Sequence, residues 1–187
     1  RTNVALTTDK PFHERLVRFW SNHLVVPAIK QPCGIICGAY EREVIRPHVA
    51  GKFSDMLLAS AKNPAMLVFL DNHLSIGPNS RYGREKKVGL NQNLAREILE
   101  LHTMGVEGGY TQNDVIQLAH AITGWSTYPA ADHAAYQFDG RAGKPVGSFV
   151  FHPEWHEPGE VTVVGKTYKA GGLEQGDGME GLTAPCA

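Results

Sequence analysis

The sequence predicts a mainly α-helical fold: about six helices in an orthogonal or bundle-like array, with a short β-hairpin region after residue 130. Three observations carry that prediction. Apolar residues recur at three- and four-residue steps through the first two thirds of the chain. Capping residues, prolines and glycines bracket each periodic run. Beyond Trp125 the pattern alternates around a glycine-rich turn. The expected organisation is a helical core over residues 1–125, an irregular, hairpin-bearing extension of the same domain over 126–170, and a Gly-rich tail over 171–187 that is disordered or truncated.

The first helix is expected from Pro11 to about Leu24, capped by Thr8 or Asp9, with proline in its first turn where no N–H is needed. Phe12, Leu16, Phe19, Trp20 and His23 share one face and mark it as the side that packs. A second helix runs from about Cys33 to Ile45 and stops at Arg46-Pro47, because a residue before proline leaves the helical region. Lys52 to Lys62 forms a third. Asn63 caps a fourth, with Pro64 at its first position and Met66, Leu67, Phe69 and Leu70 as its apolar content. Ser75 to Gly89 is rich in Gly, Pro, Asn and charge and reads as loop.

The fifth helix spans about Leu90 to Met104 and ends at Gly105. The sixth spans Gln112 to Thr123, opened by a Thr111/Asp114 capping box and closed by Gly124. Tyr136-Gln137-Phe138 and Ser148 to Phe151 are the two strands of the expected hairpin, and Val161 to Val164 before Gly165 is a further short strand.

Composition narrows the function classes. Of the 187 residues 42% are hydrophobic and 20% charged, a globular balance, and the net charge of -1 offers no surface for nucleic acid. No apolar run is long enough to span a membrane. The 3 cysteines make no disulfide framework. Cys33 and Cys37 lie four apart without a second pair to complete a zinc site, and read as small apolar helix residues. No Gly-x-Ser-x-Gly elbow, P-loop or dinucleotide fingerprint occurs.

The candidate chemistry sits on the fifth helix. At 100° per residue Asn93, Arg96, Glu97 and Glu100 fall on a stripe about 100° wide, and Leu94, Ala95, Ile98, Leu99 and Leu101 cover most of the rest. Arg96 and Glu100 are spaced to pair, which makes the stripe an ion-pair edge. Alternatively Glu97 and Glu100 face a cleft and divide acid and base roles between two environments. His23, in the middle of the first helix's aromatic face, needs a partner if buried; Asp71 or a stripe glutamate would orient it as a base or ligand, and a satisfied core histidine explains it equally. The candidate site residues are thus Glu97, Glu100, His23, Arg96 and Asp71. His102, near the helix C-terminus, reads as structural.

Two other clusters are weaker. Thr103 to Asp114 aligns with a calcium loop around Gly108, but its first ligand positions are Thr103 and Gly105 and it ends in Asp, so a tight helix–helix corner explains it better. His152, Glu154, His156 and Glu157 are metal-ligating types, yet Pro153 and Pro158 bar the helical spacing of zinc proteases. Cofactor and metal are undetermined at this level, as is oligomeric state.

Phe19-Trp20-Ser21-Asn22-His23, Arg46-Pro47-His48, Pro64-Ala65-Met66 with Leu70-Asp71, the whole of Asn91 to Val115, and Thr123-Gly124-Trp125 resemble the bacterial family catalogued as domain of unknown function 1800. His156-Glu157-Pro158-Gly159 with Gly165-Lys166-Thr167-Tyr168 resembles a later motif of that family, which usually has Asp where Glu157 stands. The resemblance covers nearly the whole chain and implies a longer, largely helical protein, often exported, with a periplasmic or extracellular location and an exported protein partner. It brings no catalytic residue. The family pattern continues beyond Gln175-Gly176, so this chain is expected to be a fragment of a longer member. The functional expectation is an exported hydrolase acting on envelope or extracellular polymers; the alternative is a non-catalytic scaffold or partner-binding protein whose polar stripe is a buried network fixing helix register.

Overall fold

The computed structural model describes residues 7–29, 33–87, 89–128, 145 and 147–169. It is mainly α-helical with two small antiparallel sheets, as the periodicity predicts. The strand expected at Tyr136-Gln137-Phe138 and the tail over 171–187 lie outside the described residues. The chain divides into two compact units that part between Phe69 and Leu70.

In the N-terminal unit α1 spans Pro11–His23. Its N-cap is Lys10, which makes no side-chain cap; Thr8 accepts from the Lys10 amide instead of capping the helix. The buried face of α1 is Glu14, Val17 and Ser21, not the aromatic one. On the face marked by aromatic periodicity Phe12 is 71% and Phe19 58% exposed, while Leu16, Trp20 and His23 are half-buried and Trp20 stacks on Phe53 at 5.3 Å.

Helix α2, Cys33–Tyr40, does not stop before Pro47. It runs through a π-helical turn, Glu41–Ile45, into a last turn α3, Arg46–His48. The physical reason lies in the proline. An α-helical Pro47 would drive its ring against the carbonyl four residues back and leave that carbonyl unpaired. The wider π turn passes the bond to a five-residue step, from the Arg46 amide to the Glu41 carbonyl, and the helix continues.

Helix α4, Phe53–Lys62, buries Met56, Leu57, Ser60 and Ala61, and α5, Pro64–Phe69, starts with Asn63 Oδ1 accepting from the Ala65 amide, as the Asn-Pro signal predicts. The Tyr40 hydroxyl binds α1 and α4 together: it donates to the Leu24 carbonyl at 2.9 Å and lies 2.7 Å from Ser60 Oγ. Burial pushes that phenol well above its ordinary range.

The C-terminal unit opens with Asp71 in the left-handed region (φ 58°) and a 3-10 turn, Asn72–Leu74. The stretch read as loop holds a helix, α6, Arg81–Lys86, whose cap is Ser80: its hydroxyl accepts from the Gly83 amide. A six-residue helix has little periodicity to read; the Ser80 cap and the packing of Tyr82 on Trp155 at 5.7 Å hold it. Helix α7, Asn93–Glu97, continues into a second π turn, Ile98–Thr103, before Gly105 (φ 82°). Helix α8, Gln112–Ala121, carries the full Thr111/Asp114 capping box.

Strand β1, Trp125–Thr127, pairs with β2, Phe149–Phe151, in the register Trp125↔Phe151. The strand expected at Ser148 to Phe151 is therefore present, and the strand it pairs with is the one directly after α8. Gly124 (φ 79°) makes that junction: a Cβ there would meet the His152 carbonyl at 2.5 Å. Strands β3, Val161–Val163, and β4, Lys166–Tyr168, close a two-residue hairpin over Val164 and Gly165, both with positive φ, the left-handed geometry a tight hairpin needs.

Candidate functional site

The C-terminal unit gathers four of the five candidate residues. Along the α7–π edge, Arg96 donates from Nη1 to Glu100 Oε1 at 2.8 Å and from Nη2 to Gln112 Oε1 at 2.9 Å. Gln112 in turn donates to Gln92 Oε1 at 2.9 Å, and Tyr110 hydrogen-bonds Glu100. The expected Arg96–Glu100 pair is thus formed, and it is one link in a polar chain from Gln92 through Gln112 and Arg96 to Glu100 and Tyr110.

Glu97 stands apart from that chain. Among the described residues no arginine pairs with it; His102 Nε2 lies 3.8 Å from its Oε1, and His102 itself is buried. Burial first, and the neighbouring Glu100 charge second, push the Glu97 carboxyl above the ordinary carboxylate range. Burial, together with the Glu100 charge and hydrogen bond, also raises the Tyr110 phenol. The edge therefore holds one carboxylate clasped by a guanidinium and, three residues away, one whose carboxyl is shifted upward by burial and by its neighbour's charge. That is the arrangement acid–base chemistry needs.

Asp71 lines an open groove of about 510 Å³ with Leu74, Asn91, Gln92 and Asn93. Asn91 is tied up structurally: its Nδ2 donates to the Asp71 carbonyl at 3.3 Å and its Oδ1 accepts from the Asn93 amide at 2.8 Å. Gln92 belongs to both the groove and the polar chain, so the groove leads to the Arg96–Glu100 edge.

His23 belongs to the N-terminal unit. It is half-buried among rings, parallel to Phe19 at 6.2 Å, edge-on to Trp20 at 5.6 Å and tilted to Phe53 at 6.2 Å.

The same unit contains a charged cluster that the sequence reading misses. Arg46 donates to Glu14 from Nη1 at 2.7 Å and Nη2 at 3.0 Å, and to Glu41 from Nε at 3.1 Å and Nη2 at 2.9 Å. Both glutamates are buried. The Arg46 bonds hold the Glu14 carboxyl below its usual range against the opposing cost of burial. Glu41 and Arg46 are five apart, a spacing that pairs side chains on a π turn, whereas an α-helical scan looks only three and four residues ahead.

The carboxy-terminal cluster is spent on fastening its loop. Glu157, buried, accepts from the Asn79 amide at 2.9 Å and Asn79 Nδ2 at 2.6 Å, while its own amide donates to Thr123 Oγ1 at 2.8 Å. His156 Nδ1 lies 3.0 Å from the Thr123 carbonyl, and His152 pairs with Glu154 and stacks on Trp155 at 4.1 Å. Asp114, the last residue of the calcium-like frame, accepts from Thr111 at 2.7 Å and from the Val164 amide at 2.7 Å. Among the described residues no three His, Cys, Asp or Glu side chains gather as a metal site. No described helix is long and apolar enough to cross a membrane.

A model of the family described as a protein of unknown function (DUF1800) matches residues 1–183. No curated protein and no solved structure matches the chain.

Proposed function

The chain belongs to the DUF1800 family, and we propose that this member is an exported bacterial hydrolase acting on envelope or extracellular polymers, with Glu97 and Glu100 as its acid and base. The exported location rests on the family resemblance. The chemistry rests on one observation: two carboxylates on one helix edge stand in different environments, Glu97 partly buried with its pKa raised and Glu100 clasped by Arg96. In the proposed reaction Glu97 gives its proton to the leaving oxygen or nitrogen of the polymer bond. Water attacks on the other side and loses its proton to Glu100. Exchange with solvent then returns a proton to Glu97 and removes the one taken up by Glu100. The groove along Asp71, Gln92 and Asn93 offers a polar track for a chain-like substrate beside that edge.

A second reading has its own observation. Arg96 bridges Glu100 of its own helix to Gln112 of α8, which is how a polar edge would fix helix register in a scaffold that binds an exported partner protein.

The test is product release from peptidoglycan and envelope polysaccharides by the full-length protein, alongside Glu97→Gln and Glu100→Gln. The hydrolase reading expects turnover to drop at least about 100-fold in each variant, with the unfolding midpoint held. Turnover that survives Glu97→Gln, or no turnover on any polymer with a partner protein co-purifying, moves the assignment to the scaffold.

A further inference from the structure

We infer that the exposed side of α1 is a membrane-docking surface that seats two phenyl rings in the interfacial layer of an anionic phospholipid bilayer. The inference is independent of the hydrolase reading and uses residues of the N-terminal unit alone.

The apolar half of the surface is a ridge. Phe12 is 71% and Phe19 58% exposed. They stand seven residues apart, so they point within about 20° of one another and lie about 10 Å apart along the helix axis. Half-buried Leu16 falls between them in the sequence and on the same side. The ridge is held from behind: Phe19 meets Trp20 edge-on at 5.0 Å, and Trp20 stacks on Phe53 of α4 at 5.3 Å. The other side of α1 is buried through Glu14, Val17 and Ser21, so the helix is anchored with these two rings outward. Adjoining exposed aromatic groups of this kind mark contact surfaces, whereas apolar residues scattered singly do not.

Charge decides what covers the ridge. Arg15 is exposed about 40° around the helix from Phe19, and Lys10 is exposed at the helix start. Neither side chain has a hydrogen bond or ion pair among the described residues. Arg18 is exposed beside them but shares its field with Glu14, as does His13. The acids nearby do little to offset that rim. Glu14 is buried against Arg46, and Glu43 lies 3.8 Å from Arg42. Asp55 projects about 160° around α4 from Phe53, which leaves Asp9 as the exposed acid next to Lys10. A second copy of this face would bring two basic rims together, like charge on like. A bilayer answers both halves at once: the rings enter the headgroup–acyl boundary, and the lipid phosphates meet Arg15 and Lys10, whose aliphatic stems lie along the apolar layer.

Co-sedimentation of the purified protein with vesicles tests the surface. Phosphatidylglycerol–phosphatidylcholine vesicles should bind at least tenfold more tightly than phosphatidylcholine alone, and added salt should narrow the gap. Phe12→Ser should weaken binding about tenfold or more, with the Tm held, since that ring is mostly in water. Arg15→Gln should weaken binding to the mixed vesicles about fivefold and leave the weak binding to neutral vesicles unchanged. Failure to bind the mixed vesicles, equal binding to neutral ones, or wild-type binding by Phe12→Ser would each overturn the proposal. So would a dimer in vesicle-free solution that Phe12→Ser dissolves, because the ridge would then belong to a second copy.

Discussion

Two arginines stand beside two π turns, one in each unit, and they are used in opposite ways. Arg46 is saturated: both glutamates it holds are buried, and the cluster locks α1 to the helix that carries Pro47. Arg96 is 42% exposed and pairs with one carboxylate, Glu100, while Glu97, three residues away, has no arginine partner among the described residues and a carboxyl pushed above the usual range by burial. The difference separates a lock from a working edge. A charge cluster in which every carboxylate is paired stabilises geometry. One that pairs a single carboxylate and leaves a neighbour with a raised pKa sets two acids apart, as acid–base sites do.

The strongest way to break that contrast is to remove each arginine. Arg46→Met strands two buried carboxylates and should lower the Tm by roughly 5–10 °C. Arg96→Met removes a half-exposed pair at four-residue spacing and should cost only about 0.3–0.5 kcal/mol. Thermal and urea unfolding of the two variants side by side decide it; equal losses would mean both networks are locks.

A pH titration sharpens the same contrast, because the two carboxylates shift in opposite senses. Glu97 has a raised pKa when folded, so between its ordinary value of 4.5 and that raised value the folded state binds more protons than the unfolded chain. Acidification through that window therefore stabilises the C-terminal unit, and the gain disappears in Glu97→Gln. Glu14 is held below 4.5 by the Arg46 hydrogen bonds, so its contribution is present above 4.5 and is lost as pH falls through the lowered value. Amide hydrogen exchange, corrected for intrinsic rates, should show α7 and α8 gaining protection in the first window and α1 losing it in the second. Both units moving together would refute the assignment.

A smaller effect concerns the helix end that supplies Gln112. Thr111→Ala removes the cap of α8 and should cost about 1 kcal/mol; by fraying the first turn it should also loosen Gln112 from Arg96, visible as a larger Arg96 side-chain mobility in NMR relaxation. Smallest of all, Val164→Asn should stabilise the protein by a few tenths to about 1 kcal/mol, since a β-branched residue sits at φ 48° where asparagine is at ease.

How much of this was legible in the sequence depends on the range of the interaction. The Thr111/Asp114 box, the Asn63 cap, the Arg96–Glu100 spacing and the Gly124 stop are all written within four residues, and each reads directly. The Glu41–Arg46 pair is written at five residues, outside the α-helical frame, and its third member, Glu14, is 32 residues from Arg46. The burial of α1 misleads for a related reason. Aromatic periodicity marks Phe12, Leu16, Phe19, Trp20 and His23 as the packing face, but the deepest residues of α1 include Glu14, buried against Arg46, while Phe12 and Phe19 stay exposed. Tyr110 and Gln92 join the site through chain geometry at a glycine-rich corner, and only the fold brings them to Glu100 and Gln112.

The π turn before Pro47 has a consequence for deletion and insertion. A π turn holds one residue more than an α turn, so it is the local signature of a single-residue insertion accommodated inside a helix. Removing one residue between Glu41 and Ile45 would let the segment wind as an ordinary α-helix with Glu41 and Arg46 four apart, a spacing that still pairs them. Pro47 would meet a carbonyl it now avoids, so the π turn serves the proline rather than the ion pair. The length of this helix, counted residue by residue, is therefore as much a determinant of the fold as the identity of the residues it contains.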